Sequence, residues 1–478
     1  MKKKLNFIIF NHNKMSIHAI DPVYSVSALN SSVPPSVLPS TAQRPVAGVT
    51  ANLVSIVSQS ATQTAGGLLQ INVPNQPNTY IKAGSSFLKF TATFTTVTNA
   101  TADCTVRPAN ACQQWSSLIL RATMSCGPNI LEQINQYSAF DELLQLHAGS
   151  SGYANGNGAM LAGQPIIVPN GAVSGSTYAI TVCLPLNFGL LNSSEEQHFP
   201  LGLLNAGLQF QFDLMGDLNQ AVFFSGACGI TAVNYAISNV SFNYEAIKMP
   251  PDHFQALRQQ MMSDGSLYQM PYVSALNMSI GALTTIDQTF GVGLSSLKAA
   301  LVTLKPASTA SRMQYSSRAG MTQFRILLDG QMINQYSIPQ NPNALNAENE
   351  YYVDLQRALG LLSSVVRTAS WFNTGTALYP LFSTSSRQEP PVISAANANG
   401  TTVYENLFFW AGLGCNRFCE SGLSYTGTPV SQLQIHAETI NTATGGYDNA
   451  LAISTLYLIL VYDSCLFVNA QGDVSINR

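Results

Sequence analysis

The sequence predicts an all-β protein: two tandem β-sandwiches with a few short helices. Three observations carry this. Apolar and polar residues alternate with period two along much of the chain. A strand–turn–helix unit occurs twice. Only 9% of the 478 residues are charged, where a soluble domain carries about a quarter. With 46% hydrophobic residues, the chain has enough apolar material for one or two sizeable cores. A wholly disordered chain is excluded by that content. A formal charge of −3 leaves no basic surface on the folded body for nucleic acid. What remains is a folded protein with a neutral polar surface, either embedded in something or packed against neighbours.

The charge is uneven. Lys2, Lys3, Lys4 and Lys14 stand in the first fourteen residues without an acid among them, so the remainder carries 17 basic and 24 acidic residues. Two readings stand side by side: a basic tail that touches nucleic acid or anionic lipid, or upstream sequence before a start at Met15. A secretory signal fits poorly, because the apolar stretch Leu5 to Phe10 is short, holds Asn6, and no small-residue cleavage site follows closely.

Residues 1–65 are read as an N-terminal arm, extended or partly disordered. From residue 21 it is rich in Ser, Val, Ala and Pro. Pro34-Pro35, Pro39 and Pro45 forbid a continuous helix or central strand. Such an arm orders by lying along something else.

A first sandwich is expected over 66–249. Leu88, Phe90, Ala92 and Phe94 alternate with Lys89, Thr91 and Thr93; Leu208, Phe210, Phe212 and Leu214 alternate with Gln209, Gln211 and Asp213; Val240 to Ala246 repeats the pattern. Each reads as a strand with one face in a core. Ser138-Ala-Phe-Asp141 looks like a capping box that opens a helix through Leu143, Leu144 and Leu146. Residues 149–178, dense in Gly, Ala, Asn and Ser, form a long insertion. Pro250-Pro251-Asp252 opens a short helix with Phe254, Leu257 and Met261 on one face, inside a linker over 250–271.

The second sandwich, 272–478, echoes the first. Ile-Asn-Gln-Tyr-Ser stands at 134–138 and again at 333–337, 199 residues later. Each copy follows a strand and a turn (Leu118 to Met124 with Ser125-Cys126-Gly127; Phe324 to Leu328 with Asp329-Gly330) and precedes a helix, the second starting at Asn346. Ala236-Ile-Ser238 and Ala452-Ile-Ser454 open the two terminal strands. Leu433 to Thr439 alternates. Residues 361–403, with Trp371, Pro380 and Pro390-Pro391, form a second insertion. Leu456 to Tyr462 is seven apolar residues long, too short for a membrane span of about 20, and reads as a buried terminal strand.

The chemistry-bearing patterns are sparse. No Gly-Lys dipeptide occurs, so a P-loop is excluded. Gly291-Val-Gly293 and Gly412-Leu-Gly414 have no third glycine of a dinucleotide fingerprint; no Gly-x-Ser-x-Gly or His-Glu-x-x-His occurs. The six histidines (12, 18, 147, 198, 253, 436) are scattered, and His436 beside Glu438 reads as a surface or interface residue. Glu195-Glu196 reads as a solvated turn. The eight cysteines (104, 112, 126, 183, 228, 415, 419, 465) read as free thiols. Cys415 and Cys419, on a strand, would sit about 13 Å apart, too far for a disulfide. The sequence thus supplies no catalytic, cofactor-binding or metal-ligating candidate.

Several stretches in order resemble the double jelly-roll major capsid proteins of tailless icosahedral DNA viruses, on the branch of polinton-like viruses and virophages. They are Trp115-Ser-Ser-Leu-Ile-Leu-Arg to Leu144; Phe188-Gly-Leu-Leu-Asn192 through Phe199-Pro-Leu-Gly-Leu-Leu204 and Leu208 to Leu214; Ile237 to Ala246; Ser295-Ser-Leu-Lys-Ala-Ala; Gln323 to Gly330; and Gly412 to Phe418. The similarity runs from about residue 66 to 470. Cys126-Gly127-Pro128 departs from the family's simple turn, and the arm matches nothing in it. The resemblance implies two jelly rolls, no enzymatic activity, no cofactor and no small-molecule substrate. It implies a homotrimer that tiles an icosahedral shell beside neighbouring capsomers, penton and minor capsid proteins, in a virion assembled inside the host cell. The basic tail would touch genome or inner membrane. Two rival classes stand beside this: a minor vertex or spike capsid protein, and a secreted carbohydrate-binding β-sandwich.

Overall fold

A computed structural model of the chain describes residues 48–110, 114–145, 157–192, 197–225, 230, 233–283, 286–305, 321–337, 350–359, 395–396, 402–403, 410–415, 426–439 and 454–477. The basic tail, the residues up to 47, Glu195-Glu196, Trp371, Cys419 and the Asn346 helix start lie outside them.

The first half is built from eight principal strands. β1 (Thr50–Val57), β2 (Leu68–Val73), β3 (Phe87–Thr96), β4 (Ile119–Cys126), β5 (Asn129–Asn135), β6 (Thr177–Pro185), β7 (Leu208–Leu214) and β8 (Val233–Lys248) form two antiparallel sheets, in the orders β1-β8-β3-β6 and β2-β7-β4-β5. Short strands pair along β8, and Cys104–Pro108, Ile166–Val168 and Val222–Ser225 make a small sheet of their own. The alternation in sequence becomes alternation in burial: β7 runs buried, half-buried, buried along its length. Leu69, Ile71, Phe210 and Phe212 from one sheet meet Leu88, Phe90, Ile237 and Phe242 from the other in one core. The Phe210 and Phe242 rings, 4.5 Å apart between centroids, join the two layers. Strands therefore begin at Thr50, within the range expected to be an arm, because Val54 and Ile56 pack on this core. β1 does lie along another element, pairing with β8 from Thr50↔Lys248 to Val57↔Ser241.

The second half follows the same plan with fewer pieces. Its strands are β9 (Tyr268–Leu283), β10 (Ile286–Lys305), β11 (Met321–Leu328), β12 (Gln331–Ser337), β13 (Ala411–Gly414), β14 (Thr428–Thr439), β15 (Ser454–Val468) and β16 (Val474–Asn477). The long β10 serves both layers. Its first part pairs with β14 from Ile286↔Ala437 to Leu297↔Thr428, and its last part with β15 and β13. The register slips between Gly291 and Leu294, and Gly293 there has φ +56°, a left-handed value that glycine adopts freely. Split at that bend, the layers read β9-β15-β10-β13 and β10-β14-β11-β12. These are the two orders of the first half, with β10 in the places of both β2 and β3.

Three of the described helices are longer than six residues. α1 (Tyr137–Leu143) starts one residue before the expected Ser138, because Gln136 takes the cap in a left-handed conformation. Ser138 is buried, and its Oγ accepts from Asn110 Nδ2. α2 (His253–Asp264) buries Phe254 and Met261 as expected and ends at Gly265, φ +62°. α3 (Glu350–Ala358) buries Leu355.

The two copies of Ile-Asn-Gln-Tyr-Ser are not equivalent in space. Both reach the second strand of a hairpin, and that second strand is bulged near the turn, at Leu131 and at Ile333. Counted from that turn, Asn129 corresponds to Gln331 and Leu131 to Ile333, an offset of 202 rather than 199. The three-residue slip turns the peptide over: Ile134 is fully buried, whereas Ile333 is 45% exposed. The duplication is real in strand order; the identical pentapeptide does not mark it.

Candidate assembly surface and the junction of the halves

The polar centre of the structured chain is the seam where the halves meet. Glu132 on β5 is 2% exposed. Its Oε1 accepts from the Gly189 amide at 2.9 Å and from Ser274 Oγ at 2.9 Å, and its Oε2 accepts from the Leu190 amide at 3.2 Å. One carboxylate thus ties β5, the loop before β7 and β9 together. Tyr272 Oη donates to the Leu131 carbonyl (3.3 Å), Asn277 Nδ2 to that of Asn135 (2.6 Å), and Asn129 Nδ2 to that of Val474 (3.0 Å). The outer edge of β5, the last strand of its sheet, is capped by side chains of the second half. Gly189 is obligatory here, since a Cβ would lie 1.8 Å from the Val273 carbonyl oxygen.

Apolar packing continues across the seam. Met270, Tyr272, Ala275, Ala299, Leu301, Ile459 and Leu466 belong to the same buried cluster as the first core. Along β15, Leu456, Leu458, Leu460 and Tyr462 fill the second half's own core, while Ile459 packs into the first. Burial on both faces is why Leu456 to Tyr462 is continuously apolar rather than alternating.

Two further buried acids are held as firmly. Asp141 on α1 accepts from Ser116 Oγ and from Asn187 Nδ2 at 2.8 Å. Burial pushes its carboxyl up from 3.8 to about 6, against the pull of those donors. Asp463 accepts from Ser296 Oγ (2.7 Å) and the Thr426 amide (2.8 Å), with Lys298 Nζ at 3.3 Å, which fixes the entry to β14. Each buried carboxylate joins segments distant in sequence. His436 lies half-exposed, 3.7 Å from Asp287 on the neighbouring strand, as a surface residue would. Cys104, Cys126, Cys183, Cys415 and Cys465 are free thiols, and burial pushes that of Cys415 up to about 12. Among the described residues no group of three or more His, Cys, Asp or Glu could hold a metal ion. No described helix is long and apolar enough to cross a membrane.

Among the described residues two edge strands expose apolar side chains. On β1, which pairs on one side only, Leu53 is 71% and Val57 70% exposed; on β12, the last strand of its sheet, Met332 is 56% exposed beside Ile333. Neither strand contains a charged residue or a proline, the usual protection of an exposed edge.

No family model matches the sequence, and no curated protein matches it. Solved structures do. PBCV-1 VP54, fitted into a reconstruction of the virophage Sputnik, superposes with a TM-score of 0.53 at 10% identity, over 92% of this chain and 99% of its own. The mavirus major capsid protein gives 0.51 at 11% identity, over 93% and 94%. The Faustovirus major capsid protein gives 0.51 at 9%, over 92% and 93%. The chain has the double jelly-roll fold. Each half is one jelly roll, the first with eight principal strands in two four-stranded layers and the second with seven strands filling the same eight positions. In the second roll the bent β10 supplies two of those positions, and the seam centred on Glu132 is the junction between rolls.

Proposed function

We propose that the protein is the major capsid protein of a tailless icosahedral virus, a structural subunit without catalysis. One observation carries the reading: two full rolls in one chain, end to end with capsid proteins over nine-tenths of its length. A subunit of two rolls side by side provides two of six corners, so three copies close a pseudo-hexagonal trimer that tiles a shell. The low charge supports this, because surfaces buried between subunits are depleted in charged residues. On this reading the chain resides in the virion, assembles inside the host cell, and meets neighbouring capsomers, penton and minor capsid proteins. The four lysines of the N-terminal tail are then available to genome or inner membrane.

The mass of the purified full-length chain in solution tests the proposal. A species near 154 kDa, three times 51.2 kDa, is expected. A monomer at micromolar concentration overturns it, and a pentamer favours a vertex protein instead.

A further inference from the structure

A cleft of about 660 Å³ opens on the seam between the rolls, a size within the range of small-ligand sites. The first roll gives it Arg121 of β4, Asp213 of β7 and Gln136, which follows β5; the second gives it Asn277, Met278 and Ile280 of β9. The register of the sheet builds one wall, since Arg121 stands opposite Asn135 on one side and Asp213 on the other. Arg121 and Asp213 form an ion pair, so the charges on that wall cancel. Two carboxamide oxygens are left over. Asn277 is 3% exposed; its Nδ2 donates to the Asn135 carbonyl at 2.6 Å, which fixes the orientation of the amide. Its Oδ1 then has no hydrogen-bond partner among the described residues, and neither has the buried Oε1 of Gln136. Folded proteins leave few buried acceptors unpaired, and two on one cleft call for a donor from outside the chain.

We infer that this cleft binds a neutral sugar, through ring hydroxyls that donate to Asn277 Oδ1 and Gln136 Oε1. The chemistry of the walls disfavours ions of either sign. An anion would face two acceptor oxygens, and a cation would find Asp213 already paired with Arg121 beside it. A hydroxyl suits both kinds of group, because it donates to a carboxamide oxygen and accepts from a guanidinium N–H. Met278 and Ile280, half-buried, offer apolar surface to the C–H face of a sugar ring. Solvent does not reach either oxygen, so the ring has to displace a side chain of the wall; Arg121, whose side chain is 47% exposed, is the one with room to swing out. The site exists only where the two rolls meet, since each roll contributes one of the two oxygens. It goes beyond the capsid reading and does not depend on it.

Saturation-transfer NMR on the purified full-length chain tests this, with glucose, galactose, mannose and N-acetylglucosamine as probes and acetate and putrescine as their charged counterparts. At least one sugar is expected to show transfer, with acetate and putrescine silent. Gln136→Met removes one acceptor at the same side-chain length. Ser279→Trp, at an exposed position of the cleft, closes it with a bulky ring and leaves the buried groups in place. Each variant is expected to weaken sugar binding by about tenfold or more, with an unchanged circular dichroism spectrum and thermal midpoint. Met262→Ser, on α2 and outside the cleft, is expected to bind as wild type does. No transfer from any of the four sugars overturns the inference. So does unchanged affinity in either cleft variant, or binding of acetate or putrescine in place of a sugar. None of these results alters the mass of the assembled chain, which tests the capsid reading separately.

Discussion

Asp141 shows how much one residue carries in a chain with few charges. Its carboxyl is held at about 6 by burial, while an unfolded chain leaves it near 3.8. The folded state therefore binds the proton more tightly. The resulting stability is complete below pH 3.8 and is lost as pH rises through about 6, a difference of about 3 kcal/mol at 1.36 kcal/mol per unit. Asp141→Asn keeps an acceptor for Asn187 and offers an N–H to Ser116. Urea unfolding of wild type and variant between pH 4 and 7.5 should diverge as pH rises, with the asparagine protein the more stable at the upper end. At Glu132 three donors converge on one carboxylate. Glu132→Ala leaves the Gly189 and Leu190 amides and Ser274 Oγ without that acceptor, and should cost about 3 kcal/mol in denaturant unfolding, with Glu132→Gln costing less.

Among the elements, β15 is the one whose sequence and position explain each other most fully. Leu458 and Leu460 face one core and Ile459 the other, so adjacent truncations should report on different parts of the protein. Leu460→Ala and Ile459→Ala should each cost about 2–5 kcal/mol. Only Ile459→Ala should increase hydrogen exchange along β5 and β9, where the rolls touch. Half-buried strands, unlike β15, were legible in the sequence through their period of two, as Leu208 to Leu214 shows. The helix faces of Phe254 and Met261 were legible for the same reason. The duplication was legible as well, though through a misleading sign, since the matching pentapeptide sits three residues out of register with the hairpins that truly correspond. The seam was not legible. Glu132 meets Gly189 and Ser274 across 57 and 142 residues, and nothing local marks a carboxylate that will find its donors only after both rolls are built. The joining of two strand positions into β10 was hidden too, because Gly291-Val-Gly293 reads as punctuation until the pairing on either side is known.

At the scale of the whole molecule, scarcity of charge and doubling of the fold have one explanation. Inside the chain the edge strand β5 of the first roll meets β9 of the second. Leu53 and Val57 of β1 and Met332 of β12 are exposed, on strands without lysine or proline. The order in which strands complete the rolls has a consequence for synthesis. β8, which lies between β1 and β3, ends at Lys248, so the first roll can close while the ribosome is still making the second. β15, which lies between β9 and β10, begins only at Ser454. For some two hundred residues of elongation the nascent chain therefore carries a finished roll, with Glu132 held only by the Gly189 and Leu190 amides, beside an open sheet that waits for its central strand. That interval is when a chain of this design most needs a chaperone, and when a premature encounter between two nascent copies would trap them in the wrong partnership.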